Sequence, residues 1–467
     1  MKSTLHYSLF LFCWIFLFAP NQLDAQIEAE FQGLVDKFLT LDIDGPGEHG
    51  GHFKPAAEIA KGSLVSSLDQ LIASSISSFP LNSTTAGVTF DFSTGQPVSI
   101  RESLGPIFAE TAKTLGKGKM NFGMNFTSLN FKKLRGLDTR EIRFNFYHEN
   151  VPMSESYRDY INYSGERFGD SPNESDVMNV KLDLNLAASI FVFYLTAGIT
   201  EKLDVSVALP LVGLTLSGTP RATFSSFTLA SGGNANHNFG QEEDGTPILS
   251  LDYEEFGNET NGGLRVGDLA LRLKYRILQE GLNVGALLDV RVPIGGEDIS
   301  LSTGKSNVRL LALFSKKIDD FTPHLNVGYD YRGDELDSNE FEFVIGFDQK
   351  ITSGLTFAFD VLGEIDLEDD LVSRDGGSRL ATQDDITSIF DHKLITNDDG
   401  SNQLLLSERL LEDSNIPNIN DHILNAAFGL RFAPTDRLQI LANILVPLND
   451  GGLRPDFATT FGLSLAL

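Results

Sequence analysis

Most of this chain alternates apolar and polar residues with a period of two, over unusually long segments. In 269–277 the apolar positions are Leu269, Leu271, Leu273, Tyr275 and Ile277, and most of the positions between them are charged. Successive side chains of a β-strand point to opposite faces, so such a segment has one apolar and one polar face. Soluble strands commonly span about 5–6 residues, whereas two-faced segments near 10 residues are typical of transmembrane β-barrels. The pattern therefore predicts an all-β, transmembrane antiparallel β-barrel rather than a soluble sandwich.

The alternation begins near residue 87 and continues to the last residue. Comparable segments are 178–194, 282–292, 325–331, 341–347, 355–361, 424–432, 438–448 and 457–467. Predicted strands begin near residues 119, 139, 176, 202, 265, 282, 306, 321, 339, 353, 420, 437 and 455. A further strand at 87–101 makes the number even, as bacterial barrels require, so we predict about 14 strands within a range of about 12–14.

Short and long connections alternate between these strands. The short ones are 200–202, 279–281, 317–320, 350–353 and 433–437, and the long ones are 151–175, 218–263, 294–305, 332–338, 365–419 and 449–454. Outer-membrane barrels have short periplasmic turns and longer outer loops. The alternation thus predicts which connections lie on each side of the membrane.

The first residues indicate export. Lys2 precedes an apolar run over 8–19, and Leu23–Ala25 follows with a small residue, Ala25, at the position that the peptidase needs. A run of this length is typical of a signal peptide and is short for a spanning helix, which needs about 20 residues. We predict a signal peptide over 1–25, cleaved between Ala25 and Gln26, with an uncleaved anchor as the alternative. The predicted location is the outer membrane of a Gram-negative bacterium.

Residues 26–86 have a different pattern from the rest of the chain. Their apolar residues recur with a helical period, and a glycine-rich link over 44–52 divides two such stretches. We predict that 26–86 forms a small helical or irregular N-terminal plug or periplasmic segment, and that 87–467 forms the barrel.

Residue patterns for catalysis or metal binding are weak. The chain contains no G-x-S-x-G, H-E-x-x-H or phosphate-loop motif. His49 and His52 lie in the flexible link without a third ligand, and 397–402 lacks the spacing of a calcium loop. A net charge of −28 disfavours nucleic acid as a partner. We therefore expect no enzyme activity, no cofactor and no metal.

Charged residues on the polar strand faces are the candidates for a solute pathway. Charges at membrane depth are costly unless they face water or one another. The candidates are Arg272, Lys274, Arg276, Asp289, Arg291, Arg309, His324 and Asp330. Two interpretations stay open: a selective pathway, or a lattice of ion pairs that fills a narrow barrel. Pro210 removes a ladder donor, which indicates either a gap in the wall or a strand end.

Several short motifs resemble a known family. They are Ser103–Lys119, Val266–Tyr275, Val292–Gly295 and His324–Tyr329. The segments resemble the outer-membrane transporters associated with phenol-degradation pathways, which are related to channels for long-chain fatty acids and aromatic hydrocarbons. The resemblance implies a barrel of about fourteen strands, a small N-terminal plug and uptake of apolar molecules through the wall.

These observations predict a passive outer-membrane channel for small, hydrophobic or aromatic molecules. Its partners would be outer-membrane lipid and small apolar solutes. The alternative is a structural or adhesive barrel that acts through its long outer loops, and an enzyme is a third, less favoured class.

Overall fold

A computed structural model of the chain describes residues 75, 90–91, 96–97, 103–147, 176–218, 221–226, 250–254, 260–294, 306–332, 339–367, 392–396, 402–406, 415–417 and 419–465. The predicted signal peptide and almost all of 26–86 lie outside this part of the chain, so both stay predictions. No helix among the described residues has the length and apolar character needed to span a membrane.

The described residues are almost entirely β-strand, with one short 3-10 helix at Thr139–Glu141. The strands are, in chain order, β1 (Phe90–Asp91), β2 (Gln96–Pro97), β3 (Lys119–Leu134), β4 (Leu137–Asp138), β5 (Ile142–Tyr147), β6 (Asp176–Leu182), β7 (Leu184–Gly198), β8 (Leu203–Gly218), β9 (Arg221–Ser226), β10 (Ser250–Glu254), β11 (Thr260–Val266), β12 (Leu269–Leu278), β13 (Asn283–Val292), β14 (Asn307–Ser315), β15 (Phe321–Tyr331), β16 (Glu340–Thr352), β17 (Leu355–Asp366), β18 (His392–Thr396), β19 (Asn402–Leu406), β20 (Ile423–Thr435), β21 (Leu438–Pro447), β22 (Leu453–Pro455) and β23 (Ala458–Leu465).

Twelve of these strands form a closed antiparallel barrel, which confirms the predicted fold class at the lower end of the predicted range of strand numbers. The order around the wall is β3, β7, β8, β12, β13, β14, β15, β16, β17, β20, β21 and β23. The last strand then pairs with the first, from Thr459 opposite Ser128 to Leu465 opposite Phe122. Closure satisfies every strand edge, as a lipid environment requires.

Two segments that were counted toward fourteen strands do not form the wall. The strand predicted near residue 139 is β5, which pairs with β6 in a separate four-stranded sheet of order β5, β6, β9 and β10. The described part of the strand predicted over 87–101 consists of β1 and β2, which pair with each other, while β1 also pairs with the start of β3. Alternation indicates a strand, but it does not indicate which sheet the strand joins.

The predicted face assignment is confirmed on β12. Leu271, Leu273 and Tyr275 are 42%, 45% and 49% exposed on the outer surface. Arg272 and Lys274 alternate with them and are each 2% exposed. The opposite register would place these cations in hydrocarbon, at about 2–4 kcal/mol each near the midplane. The register therefore follows from the sequence pattern.

Strand β7 reverses this rule over its first half. Its apolar even positions, Leu186, Ile190 and Val192, are buried. They share a face with Thr196, whose hydroxyl contacts buried Ser206 on β8, so this apolar face points into the barrel. On the outer face, Phe191 contacts Phe126 of β3 with ring centroids 4.6 Å apart. The barrel interior consequently has an apolar region as well as a charged one.

Candidate functional site

Residues 103–118 run through the inside of the barrel and are called the plug segment here. They form no helix or strand. Ile107, Ala109 and Ala112 have 0% exposure, and Ala112 packs in one cluster with inward-facing Leu287, Leu311 and Leu313. The segment predicted as a plug or periplasmic segment was 26–86, almost all of which lies outside the described residues. The structure places a different segment, directly before β3, in the lumen.

Two wall residues hold the middle of the plug segment by its backbone. One carboxylate oxygen of Asp360 on β17 accepts hydrogen bonds from the N–H groups of Ile107, Phe108 and Ala109 at 3.2, 2.8 and 3.3 Å. Arg431 on β20 donates to the carbonyl oxygen of Pro106 at 2.9 Å. Because buried backbone groups need partners, these two side chains fix the depth of the segment in the lumen.

Glu110 is the charged residue of the plug segment that enters the predicted cation cluster. Asn326 on β15 accepts from its backbone N–H at 2.6 Å and donates to its carbonyl oxygen at 2.8 Å. Its side chain reaches β12, where Lys274 Nζ lies 3.2 Å from Oε2 and Arg272 Nη1 lies 3.7 Å from Oε1. The plug segment thus supplies a carboxylate to two wall cations.

The plug segment leaves the lumen beside the turn that joins β7 and β8. Asp204 on β8 accepts from the N–H of Leu115 at 2.9 Å, and Thr114 donates to the carbonyl oxygen of Glu201 at 2.8 Å. The N–H of Gly118 then donates to the carbonyl oxygen of Gly198 at 2.9 Å. Gly116 has a φ of +91°, a conformation that favours glycine. The segment passes from this turn directly into β3.

Four predicted pathway residues belong to one buried ion network. Asp289 Oδ2 lies 3.0 Å from Arg272 Nε and 2.8 Å from Arg309 Nη2, and it is 1% exposed. Arg309 also reaches Glu342 on β16 at 3.1 Å. Through Arg272 the network joins Glu110 and then Lys274. The structure therefore brings these candidates together, and their ion pairs match the lattice interpretation as well as the pathway one.

His324 belongs to a second cluster. Its Nε2 lies 2.6 Å from Asp360 Oδ1 and its Nδ1 lies 3.6 Å from Asp348 Oδ1. Because Asp360 also holds the plug segment, His324 supports the plug from the wall side. It is not part of the Arg272 network.

Asp330 belongs to an acidic cluster that is offset by arginines. Oxygen atoms of Asp330, Glu340 and Glu342 lie within 4.8 Å of one another. Arg332 contacts Glu340 at 2.6 Å and Asp330 at 3.6 Å, and Arg309 contacts Glu342. These two guanidinium groups offset part of the negative charge of the three carboxylates, so the arrangement has the character of an ion lattice.

Three candidates remain, of which Arg291 lies beside the network, on the same face of β13 as Asp289. Arg276 donates to the carbonyl oxygen of Glu201 at 2.7 Å, beside the short turn between β7 and β8. Arg291 lies opposite Asn307 near the other end of the wall. Pro210 continues β8 and its carbonyl accepts from Gly267, where the partner of β8 changes from β11 to β12. The irregularity is therefore in the neighbouring strand, and a wall gap at Pro210 stays a prediction.

Sequence reasoning missed the residues that hold the plug segment. Glu110, Asn326, Asp360 and Arg431 were not among the candidates. Asp360 could have been identified from the sequence as a lumen residue, because it is a charged residue on the polar face of a predicted strand. Glu110 carried a weaker one, since only its place in the Ser103–Lys119 motif distinguished it.

A continuous apolar surface lies on the inner face of β3, β7 and β8. Its members alternate with outward-facing residues and are at most 4% exposed. They are Leu129, Phe131, Leu186, Ala188, Ile190, Val212 and Leu214. A water-filled pore gains nothing from such a surface, because apolar side chains disfavour contact with water. The surface is called the apolar inner wall here.

Comparisons with known proteins give outer-membrane barrels at low similarity. One is an outer-membrane channel from Pseudomonas putida F1, with 11% identity over 74% of this chain and 95% of that chain and a TM-score of 0.37. Another is a NanC porin, with 12% identity over 62% of this chain and 99% of that chain and a TM-score of 0.31. The P. putida toluene transporter TodX has 10% identity over 74% of this chain and 90% of that chain, with a TM-score of 0.30. No family model and no curated protein matches the chain. Similarities this low do not assign a family or a solute.

Proposed function

We propose that the protein is a passive outer-membrane channel for small hydrophobic or aromatic molecules. The observation that supports this proposal most directly is the apolar inner wall. Leu186, Ile190 and Leu214 are turned inward although lipid lies on the other side of the strands. These side chains are at most 4% exposed, so a solute would reach the apolar inner wall only after the packing inside the barrel opens. A barrel that served only as an anchor for its outer loops would gain no function from such a surface.

The second support is the way in which the plug segment is held. Side chains such as Asp360 and Asn326 bind it at separate points, and no strand ladder joins it to the wall. A segment without ladder hydrogen bonds can open locally at a free-energy cost below that of global unfolding. Passage of a solute then requires displacement of the plug segment and neither a nucleotide nor a cofactor.

Uptake by whole cells tests the proposal. A deletion strain that carries the wild-type gene should take up radiolabelled toluene faster than the same strain with an empty vector. Ile190→Asn should lower the initial rate several-fold, because a polar group interrupts the apolar inner wall. Ile190→Val is the matched control, since it keeps the surface apolar and costs only about 0.5–1.5 kcal/mol in packing.

The structural or adhesive alternative makes a different forecast. If wild-type cells and empty-vector cells take up toluene and a panel of other apolar carbon sources at the same rate, the channel proposal is wrong. Heat-modifiable migration on gels must show equal amounts of folded barrel in the strains that carry the wild type, Ile190→Asn and Ile190→Val.

A further inference from the structure

Two buried cations of the barrel wall converge on a carboxylate that the wall does not provide. Arg272 and Lys274 project from the same face of β12, and their side chains are each 2% exposed. The carboxylate between them belongs to Glu110 of the plug segment and is 5% exposed. Among the described residues, Glu110 is the only ion-pair partner of Lys274, whereas Arg272 also contacts Asp289.

Displacement of the plug segment would leave Lys274 without a carboxylate within 4 Å among the described residues, although Asp204 lies across from it on β8. A buried charge that loses its partner is strongly destabilising. The wall therefore favours a replacement anion at the same place. Carboxylates suit this pair, because an arginine and a lysine can each donate to a different oxygen.

The surroundings of the pair indicate the rest of the ligand. A cavity lies beside Glu110 and Arg272, and much of its lining is apolar. Its apolar lining comprises Leu287, Leu311, Val344 and Leu362 of the wall and Phe108 of the plug segment, beside the charged residues Arg309, Glu342 and Glu364. A solute with a carboxylate at one end and a compact apolar body could bind both the cation pair and this lining.

We propose that Arg272 and Lys274 form a carboxylate-binding site, which Glu110 occupies as a tethered substitute until a solute displaces it. The solute class is a small carboxylate with an apolar or aromatic body. This inference rests on the proposed channel function, because the solute must enter the lumen, and it narrows the solutes that the channel carries. It also gives the plug segment a competitive role, since Glu110 and the solute exclude each other.

Titration calorimetry of the purified, detergent-solubilised protein tests the site without any transport measurement. The probes are benzoate and its neutral analogue benzamide. Glu110→Gln should bind benzoate about tenfold or more tightly than the wild type, because a charge-assisted bond contributes about 1.5–3 kcal/mol and tenfold corresponds to 1.4 kcal/mol. Benzamide binding should not change, and Lys274→Gln added to Glu110→Gln should abolish the gain.

Glu342→Gln is the matched control. Glu342 is a carboxylate in the same cavity, but it lies on the wall and pairs with Arg309. Its neutralisation leaves Glu110 in place and should give no comparable gain in benzoate affinity. Glu110→Asp is a second variant that keeps the charge, and its shorter side chain should give an intermediate affinity.

Three results would overturn the inference: no gain in Glu110→Gln, an equal gain for benzamide, or an equal gain in Glu342→Gln. The last would show that total lumen charge, and not the place of Glu110, controls binding. Benzoate flux in proteoliposomes separates the two proposals. If Glu110→Gln binds benzoate more tightly but no variant shows benzoate flux, the carboxylate-binding site is supported and the channel proposal is contradicted. If cells take up toluene but Glu110→Gln shows no gain in benzoate affinity, the channel proposal is supported and the carboxylate-binding site is contradicted.

Discussion

The carboxylate of Asp360 accepts a 2.8 Å hydrogen bond from the backbone N–H of Phe108 inside the barrel. The same oxygen also accepts from the N–H groups of Ile107 and Ala109. Successive backbone amides that point at one anion form a concave binding site for negative charge. Here the anion belongs to the wall and the amides to the plug segment, so a single side chain controls three hydrogen bonds of the plug.

The first prediction concerns this contact. Asp360→Ala should loosen the plug segment, because each buried amide that loses its acceptor costs about 1–3 kcal/mol. Single-channel recording in planar bilayers should show higher conductance or more frequent openings than in the wild type. Thr356→Val is the control, since Thr356 accepts from one backbone N–H of the plug segment, that of Leu104, and from the hydroxyl of Ser103, whereas Asp360 accepts from three backbone N–H groups. Unchanged conductance in a folded Asp360→Ala variant would show that the plug is held elsewhere.

The second prediction concerns the exit of the plug segment. A Cβ atom on Gly198 would overlap the carbonyl oxygen of Gly116, so Gly198→Ala should displace the turn and raise conductance. Gly118→Ala is the matched control, because nothing lies within 4 Å of the added atom although its φ of +75° is strained. Equal conductance in the two variants would contradict the close packing of Gly116 on β7.

The third prediction concerns the lipid-facing register of β12. Leu273→Arg should lower the free energy of unfolding by about 2–4 kcal/mol if this position lies near the midplane, whereas Ile277→Arg at the strand end should cost about 0–1 kcal/mol. Both residues are exposed on the outer surface, at 45% and 49%. Urea titration in lipid vesicles measures the difference. Equal costs at both positions would argue against the predicted membrane depth.

The fourth prediction concerns orientation. Protease added to intact cells should cut within 218–263 and 365–419, because these connections are predicted to lie outside the cell. The short turns at 279–281 and 433–437 should be cut only after the outer membrane is permeabilised. The opposite pattern would invert the barrel in the membrane.

Much of the barrel wall could be predicted from the sequence. The alternation around Leu271, Arg272 and Leu273 determines the strand and its two faces, because a register error of one residue moves every side chain to the wrong face. The same argument holds for most other wall strands. For the first half of β7 the pattern assigned the apolar face to the wrong side of the wall. Alternation alone cannot distinguish an apolar surface that faces lipid from one that faces the inside of the barrel.

The sequence by itself therefore determined the strand pattern, the all-β barrel class and the inward position of Arg272 and Lys274. These features depend on local periodicity and on the free-energy cost of placing charge in lipid. Only the tertiary structure decided that twelve strands close the wall, that 103–118 fills the lumen and that Glu110 meets the cation pair. The physical reason is that these features depend on contacts between distant parts of the chain. Glu110 and Lys274 are 164 residues apart, and Phe108 and Asp360 are 252 residues apart; no local pattern records such pairs.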